Sequence, residues 1–146
     1  MQARMGSIRL PGKSLLDFHG EPMVGRILER LRRCKSVDAI ILAIPKNDQN
    51  TPLKNLAEKY GTFLFLGPEE DVLDRYFLAS QEHNLDFVVR FPADNPVPEP
   101  KEIDRIISHH KKLKRKGFSS NLAEINGSGY PDGIGAEIFD FDLLAE

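Results

Sequence analysis

Residues 38–45 read DAIILAIP, a run of apolar side chains that follows one aspartate and ends at a proline. Because the run is short and apolar at successive positions, it is typical of a strand buried on both faces, as in a parallel sheet. Helical and strand-like patterns alternate around it, and Asn50 with Pro52 marks the start of the helix that follows. We predict helices over 22–34, 51–60, 69–81 and 101–116, and strands over 38–44, 62–66, 86–91, 118–122 and 136–141. This alternation predicts a three-layer α/β sandwich on a mostly parallel sheet.

The composition is that of one globular domain spanning residues 1–146. Apolar residues make up 40% of the chain, charged residues 29%, and the formal net charge is −2. This balance gives no argument for binding nucleic acid or an anionic membrane. The single cysteine, Cys34, excludes an internal disulfide, and no apolar run approaches the roughly 18 residues of a membrane span. No signal peptide is recognisable, so we expect a cytoplasmic protein without nucleic acid or a membrane as partner.

The opening loop, residues 4–14, closes with GSIRLPGKS and ends like a nucleotide-binding P-loop. A P-loop has four residues between its two glycines and leads into a long helix. Here five residues separate Gly6 from Gly12. In addition, Gly20 and Pro22 interrupt any long helix that would follow. Spacing and context therefore argue against a P-loop.

Three cations of the opening loop lie within ten residues of one another and are interleaved with glycine and serine. Arginine can donate two hydrogen bonds to one phosphate, lysine supplies a compact charge, and glycine lets a ligand approach the backbone. A triphosphate-binding loop and a solvated basic loop both fit this composition. The residues concerned are Arg4, Gly6, Ser7, Arg9, Gly12 and Lys13.

A second candidate position is the turn after strand 86–91, where Asp94 lies in a stretch rich in proline. Ligands of parallel α/β sheets bind beyond the carboxyl ends of the strands. In the predicted parallel sheet, both this turn and the opening loop lie beyond the carboxyl ends of the strands. By itself, however, an aspartate between a strand and prolines is more often a turn residue.

Five ordered segments resemble sugar cytidylyltransferases, most of all the spore coat polysaccharide biosynthesis protein F family. The segments are QARMGSIRLPGK, DFHGEPMVGRILERL, PEEDVLDRY, ADNP and YPDGIGAEIF. The first is also similar to the signature loop of 3-deoxy-manno-octulosonate cytidylyltransferases, and acylneuraminate cytidylyltransferases are related. The resemblance implies a nucleotide-diphospho-sugar transferase fold of Rossmann-like type. It also implies an Mg²⁺-dependent enzyme of surface polysaccharide synthesis that moves CMP from CTP to a sugar or sugar acid. Pyrophosphate would be released, and the enzyme would form a homodimer.

Carried over residue by residue, the resemblance implies three groups of site residues. Lys13, Arg9 and Asp94 would be catalytic, and Asp94 would also hold Mg²⁺. The nucleotide-binding residues would be Arg4, Gly6, Ser7, Arg9, Lys13, Asp71 and Arg75. The residues that bind the acceptor sugar would be Asn95, Tyr130, Pro131, Asp132 and Gly133.

The chain departs from the family pattern in three places. The family has glycine at the position of Ala93, and alanine would be strained there if the position needs a positive φ. The strand ahead of the opening loop is missing, and a second metal-binding aspartate is expected beyond Glu146. We therefore expect a fragment of a longer domain, without its first strand and C-terminal part and incomplete as a catalyst.

Two other functions stay open from the sequence. A non-catalytic nucleotide-sugar-binding domain of the same fold would fit Ala93 and the missing termini. A glycosyltransferase has a related architecture and would want an Asp-x-Asp metal motif, which Asp140-Phe141-Asp142 supplies at the far end of the last strand.

Overall fold

The computed structural model describes residues 1–7, 9–114, 117–122, 131 and 133–144. Within them the helices are α1 (Met23–Leu31), α2 (Thr51–Lys59), α3 (Val72–Glu82) and α4 (Pro100–His110). The strands are β1 (Ile41–Pro45), β2 (Phe63–Gly67), β3 (Phe87–Arg90), β4 (Phe118–Ser120) and β5 (Glu137–Asp140). Short 3₁₀ turns cover Lys13–Leu15, Asp48–Asn50 and Phe141–Leu144.

The sheet is mostly parallel, as the sequence predicts. β1 and β2 pair in parallel, while β5 runs antiparallel between β3 and β4. The extended segment Met1–Ala3 joins these two groups, because Gln2 bridges in parallel to both Ala43 and Pro92. The spatial order is therefore β2, β1, Met1–Ala3, β3, β5 and β4. The position of the strand expected ahead of the opening loop is thus occupied by three residues.

Helices cover both faces of the sheet, which confirms the three-layer sandwich. The apolar run of β1 divides between the faces because successive side chains of a strand point to opposite sides. Leu42 and Ile44 are fully buried in the core formed with α1, α2 and α4. Ile41 and Ala43 pack on the other face, against α3. None of the described helices is long and apolar enough to cross a membrane.

The predicted helices are present, but two of them are too long at their C-terminal ends. α1 ends at Leu31 rather than at residue 34, and α4 ends at His110 rather than at residue 116. The stretch after α4 is rich in lysine, and like charges on successive turns destabilise a helix. α2 and α4 begin with a proline in their first turn, where the missing N–H costs nothing.

Candidate active site

The opening loop and the turn that carries Asp94 meet at the carboxyl edge of the sheet. Met1–Ala3 lies between β1 and β3, and the opening loop leaves directly from its end. The turn follows β3, and the Ala93 amide donates a 3.0 Å hydrogen bond to the Gln2 carbonyl. The two segments are therefore held side by side by main-chain hydrogen bonds.

Lys13 and Asp94 form an ion pair across this junction. Lys13 Nζ lies 2.7 Å from Asp94 Oδ2, although 81 positions separate the two residues in the chain. The side chains are 24% and 45% exposed, respectively. Two of the residues for which the sequence predicts a catalytic role are thus in direct contact, and solvent can reach both.

Asp94 is held in its ionised form. Burial opposes the charge, but the hydrogen bond and the positive charge of Lys13 outweigh it and hold the pKa of Asp94 below its usual value. The charge of Arg9 acts in the same direction, so Arg9 also lies within electrostatic range of the carboxylate. An ionised, half-exposed carboxylate is a suitable ligand for a divalent cation.

The other cations of the opening loop are available to a ligand. Arg4 and Arg9 are exposed and make no ion pair with the described residues. Gly6 is exposed too, and the Ser7 hydroxyl accepts a hydrogen bond of 3.4 Å from the Leu10 amide. The loop closes at Gly12, which has a left-handed φ of 71°. Glycine adopts that conformation without the steric cost a side chain would add.

The structure places Arg75, for which the family resemblance implies nucleotide binding, in the interior, and its predicted role stays a prediction. Arg75 is 1% exposed; its Nη1 donates to the Pro68 carbonyl over 2.6 Å and its Nη2 to Gln2 Oε1 over 3.2 Å. Burial lowers its pKa. Gly67 makes room for it, because a Cβ there would lie 2.9 Å from Arg75 Cγ. Arg75 therefore ties α3 to the segment that carries the opening loop.

Asp71 has a structural contact in the same region. Its Oδ1 accepts a 2.9 Å hydrogen bond from the Asp74 amide and so caps the N-terminus of α3. The side chain is exposed, and its predicted place near the base and ribose stays a prediction.

Two of the residues predicted to bind the acceptor meet beside Asp94. Gly133 is buried with a φ of 84°, and a Cβ there would lie 3.6 Å from the Cβ of Asn95. Pro131 is exposed. Tyr130 and Asp132 lie outside the described residues. Their predicted roles, like that of Pro131, remain predictions.

Two of the features that favoured the alternative functions, the strain expected at Ala93 and the Asp-x-Asp stretch, do not fit the structure. Ala93 needs no glycine: the positive φ angles of described non-glycine residues occur at His19 and Asn84, so the expected strain is absent. Asp140 faces Phe87, the first residue of β3, which places it at the edge of the sheet opposite the opening loop. The Asp-x-Asp stretch is therefore not part of this site.

Metal-binding groups are sparse in the described part of the chain. It contains no cluster of three or more His, Cys, Asp or Glu side chains that could hold a metal ion. Asp94 is the carboxylate that the structure places beside the basic loop. Any further ligand of a metal here would come from the nucleotide, from water or from elsewhere in the protein.

Sequence reasoning assigned no site role to two buried polar side chains beneath the opening loop. Asn50 was predicted to cap α2, but its side chain makes no capping hydrogen bond and instead accepts one from the Met5 amide over 2.9 Å. Ser14, the last residue of the GKS sequence, donates its hydroxyl to the Arg4 carbonyl over 3.2 Å. The polarity of both residues was visible in the sequence, whereas their burial was not.

A sequence model of the family described as Cytidylyltransferase matches residues 1–142. The chain belongs to the cytidylyltransferase family. It is 32% identical over 114 residues to the spore coat polysaccharide biosynthesis protein SpsF of Bacillus subtilis, which covers 75% of this chain and 48% of that protein. These matches confirm the family predicted from the opening loop and the segments that follow it.

Solved structures agree with the fold. A cytidylyltransferase from Leptospira borgpetersenii is 31% identical in sequence and superposes with a TM-score of 0.90. The match covers 99% of this chain and 60% of the Leptospira chain. CMP:2-keto-3-deoxy-manno-octonic acid synthetase, solved as a complex with CTP, has a TM-score of 0.80 at 18% identity, over 99% of this chain and 73% of its own. The chain spans about half the length of the curated relatives it matches.

Proposed function

We propose that the protein is an Mg²⁺-dependent cytidylyltransferase that transfers CMP from CTP to a sugar or sugar acid for surface polysaccharide synthesis. The observation that carries this proposal is the contact of Lys13 with Asp94. It brings a predicted phosphate-binding loop and a predicted metal-binding turn together at the edge of the sheet where such ligands bind. Family membership supports the reaction class.

The opening loop would bind the triphosphate. Arg4 and Arg9 are exposed, and the partner of Lys13 among the described residues is Asp94, which a ligand can replace. In the reaction, an acceptor hydroxyl forms a bond to the α-phosphorus, and the bond from that phosphorus to the bridging oxygen of pyrophosphate breaks. Negative charge grows on the leaving pyrophosphate, where Arg9 and Lys13 would stabilise it. The chemistry depends on positioning and charge rather than on a covalent intermediate with the protein.

Asp94 fits the role of an Mg²⁺ ligand. Mg²⁺ is usually bound through one or two carboxylates together with phosphate oxygens and water, and Asp94 supplies an ionised carboxylate next to the loop. Bound Mg²⁺ would neutralise charge on the phosphates. Because Lys13 now contacts Asp94, binding of the Mg²⁺–CTP complex would give each of the two side chains a new partner. We also propose, from the family resemblance, that a second carboxylate beyond residue 146 binds the Mg²⁺ ion.

The acceptor would bind on the other side of Asp94. Gly133 packs against Asn95 there, and we assign Tyr130, Pro131 and Asp132 to the same subsite from the family resemblance. The acceptor is a sugar or sugar acid. A homodimer and a cytoplasmic location, both expected from the sequence, complete the proposal.

The test is an assay of pyrophosphate release. The full-length protein is incubated with Mg²⁺, each of the four common ribonucleoside triphosphates and a panel of sugars and sugar acids. We expect release with CTP that depends on the acceptor. Binding of CTP without release would identify a non-catalytic domain, and transfer from a preformed nucleotide sugar would identify a glycosyltransferase. Either result would contradict the proposal.

A further inference from the structure

The peptide bond between Arg4 and Met5 is held on both sides by buried side chains. Its carbonyl oxygen, on Arg4, accepts the Ser14 hydroxyl over 3.2 Å. Its N–H, on Met5, donates to Asn50 Oδ1 over 2.9 Å. Because the carbonyl and the N–H belong to one planar unit, the two contacts together fix the orientation of that unit. We refer to Ser14, Asn50 and this peptide as the loop clamp.

The loop clamp is anchored to the sheet. Ser14 and Asn50 are 1% and 2% exposed. The side-chain amide of Asn50 donates to the Pro45 carbonyl, at the end of β1, over 3.2 Å and to Asn47 Oδ1 over 2.6 Å. With donors and acceptor all engaged, the Asn50 side chain has little freedom to rotate. It connects the first peptide of the opening loop rigidly to the carboxyl end of β1.

The residue that follows the clamped peptide bond, Met5, also joins the two arms of the opening loop. The Met5 carbonyl, on the residue that donates to Asn50, accepts the Ser7 amide over 2.9 Å and the Gly12 amide over 3.4 Å. Both arms of the loop therefore converge on Met5. Arg4 lies on one side of the clamped peptide, and Lys13 follows Gly12 directly. A rotation of this peptide would move the cations relative to one another.

We propose that Ser14 and Asn50 are positioning residues of the nucleotide site, which hold the opening loop in its phosphate-binding conformation before the nucleotide arrives. The inference rests on the proposed function. Holding a site in its bound shape in advance removes part of the ordering cost of binding. In a P-loop the serine after the lysine would contact a metal ion, whereas here that serine faces inward and acts through the backbone.

Ser14→Ala tests the clamp against a matched control, Ser80→Ala. Ser80 is also 1% exposed, and its hydroxyl likewise donates to a backbone carbonyl, that of Tyr76, over 2.7 Å within α3. Both variants lose one buried hydroxyl, so we expect similar decreases in melting temperature. Calorimetry with CTP and Mg²⁺ on the full-length protein should show about two- to tenfold weaker binding for Ser14→Ala only. Equal affinities for the two variants would overturn the proposal.

The second half of the clamp is tested by Asn50→Ala, alone and combined with Ser14→Ala. Because both side chains hold one peptide, the combined loss of CTP affinity should be smaller than the product of the two separate losses. For Ser14→Ala combined with Ser80→Ala, the loss of CTP affinity should equal the product of the two separate losses. Independent effects of Ser14 and Asn50 would overturn the claim that they act as a unit.

Amide hydrogen exchange without nucleotide separates this inference from the proposed function. Exchange at the Met5 and Gly12 amides should accelerate in Asn50→Ala and in Ser14→Ala, and stay unchanged in Ser80→Ala. If the parent protein does not bind CTP, the proposed function fails and the exchange result still decides the clamp. Protection at Met5 and Gly12 that survives both substitutions would overturn it.

Discussion

Two aspartates, at opposite edges of the sheet, have contrasting surroundings. At the amino edge of β3, Asp140 Oδ2 accepts the Gly117 amide over 2.6 Å and lies 3.4 Å from His110 Nε2. The Nδ1 atom of the same buried histidine lies 2.8 Å from Ser119 Oγ. At the carboxyl edge, Asp94 is half-exposed and pairs with Lys13.

The two carboxylates differ in whether a ligand could replace their present hydrogen-bond or ion-pair partner. A backbone amide cannot move away without disturbing the fold, so the contacts of Asp140 are structural. A lysine side chain has many rotamers, and a partly exposed pair gains little free energy, so Lys13 can leave Asp94 for a stronger ligand. An ionised carboxylate with a replaceable partner is what distinguishes a binding site from a structural contact.

The largest expected effect comes from removing each aspartate in turn. Asp94→Ala should lower the rate of pyrophosphate release by about a hundredfold or more, because the carboxylate proposed to hold Mg²⁺ is lost, with little change in stability. Asp140→Ala should leave the rate near that of the parent. It should cost about 1–3 kcal/mol in the free energy of unfolding, since the Gly117 amide loses its acceptor. Rate assays and urea denaturation of both variants measure the contrast, and similar rates for the two would contradict it.

The second largest effect is expected on turnover when Lys13 is replaced, and Lys59, which forms an ion pair of similar length, serves as the control. Lys13 lies 2.7 Å from Asp94, and Lys59 lies 2.8 Å from Glu21. Lys13→Met should lower turnover with CTP by about tenfold to a hundredfold, because its charge would stabilise the leaving pyrophosphate. Lys59→Met should change turnover little and stability by less than about 1 kcal/mol. Steady-state kinetics with CTP measure the turnover of both variants. An unchanged rate in Lys13→Met would remove Lys13 from the proposed mechanism.

Local patterns in the sequence were sufficient to predict the presence of the helices and strands and to identify the basic opening loop. The apolar run of β1 and the prolines at the helix starts act over a few residues, so they can be recognised without the fold. The spacing of Gly6 and Gly12, together with Gly20 and Pro22, argued against a P-loop on the same basis. The turn that carries Asp94 was recognisable through the resemblance of ADNP to the family's segment, and its metal-binding role stays a prediction.

Contacts between distant segments could not be predicted in the same way. The pairing of Lys13 with Asp94 depends on Met1–Ala3 lying between β1 and β3, which no local pattern specifies. Arginine is rarely buried, so the interior position of Arg75 depends on the space that Gly67 leaves for it. The clamp contact of Asn50 required knowing that the start of α2 lies beneath the opening loop.

The smallest effect is the pH dependence of stability that Asp94 contributes. The pKa of Asp94 is lowered in the folded protein, so its pairing with Lys13 stabilises the fold above the ordinary aspartate pKa of about 4. That stabilisation is lost as the pH falls through the lower, folded-state pKa. Because the side chain is 45% exposed, solvent screens the pair and the contribution should be less than about 1 kcal/mol.

Asp94→Asn isolates this contribution, since the amide has nearly the same shape and does not titrate. Urea denaturation should show the parent more stable than Asp94→Asn near neutral pH, with the difference shrinking as the pH falls below about 4. High salt should shrink the difference at neutral pH as well. A difference that stays constant through the acid range would mean that Lys13 does not stabilise the charged form of Asp94. The carboxylate would then lack the replaceable partner that sets it apart from Asp140.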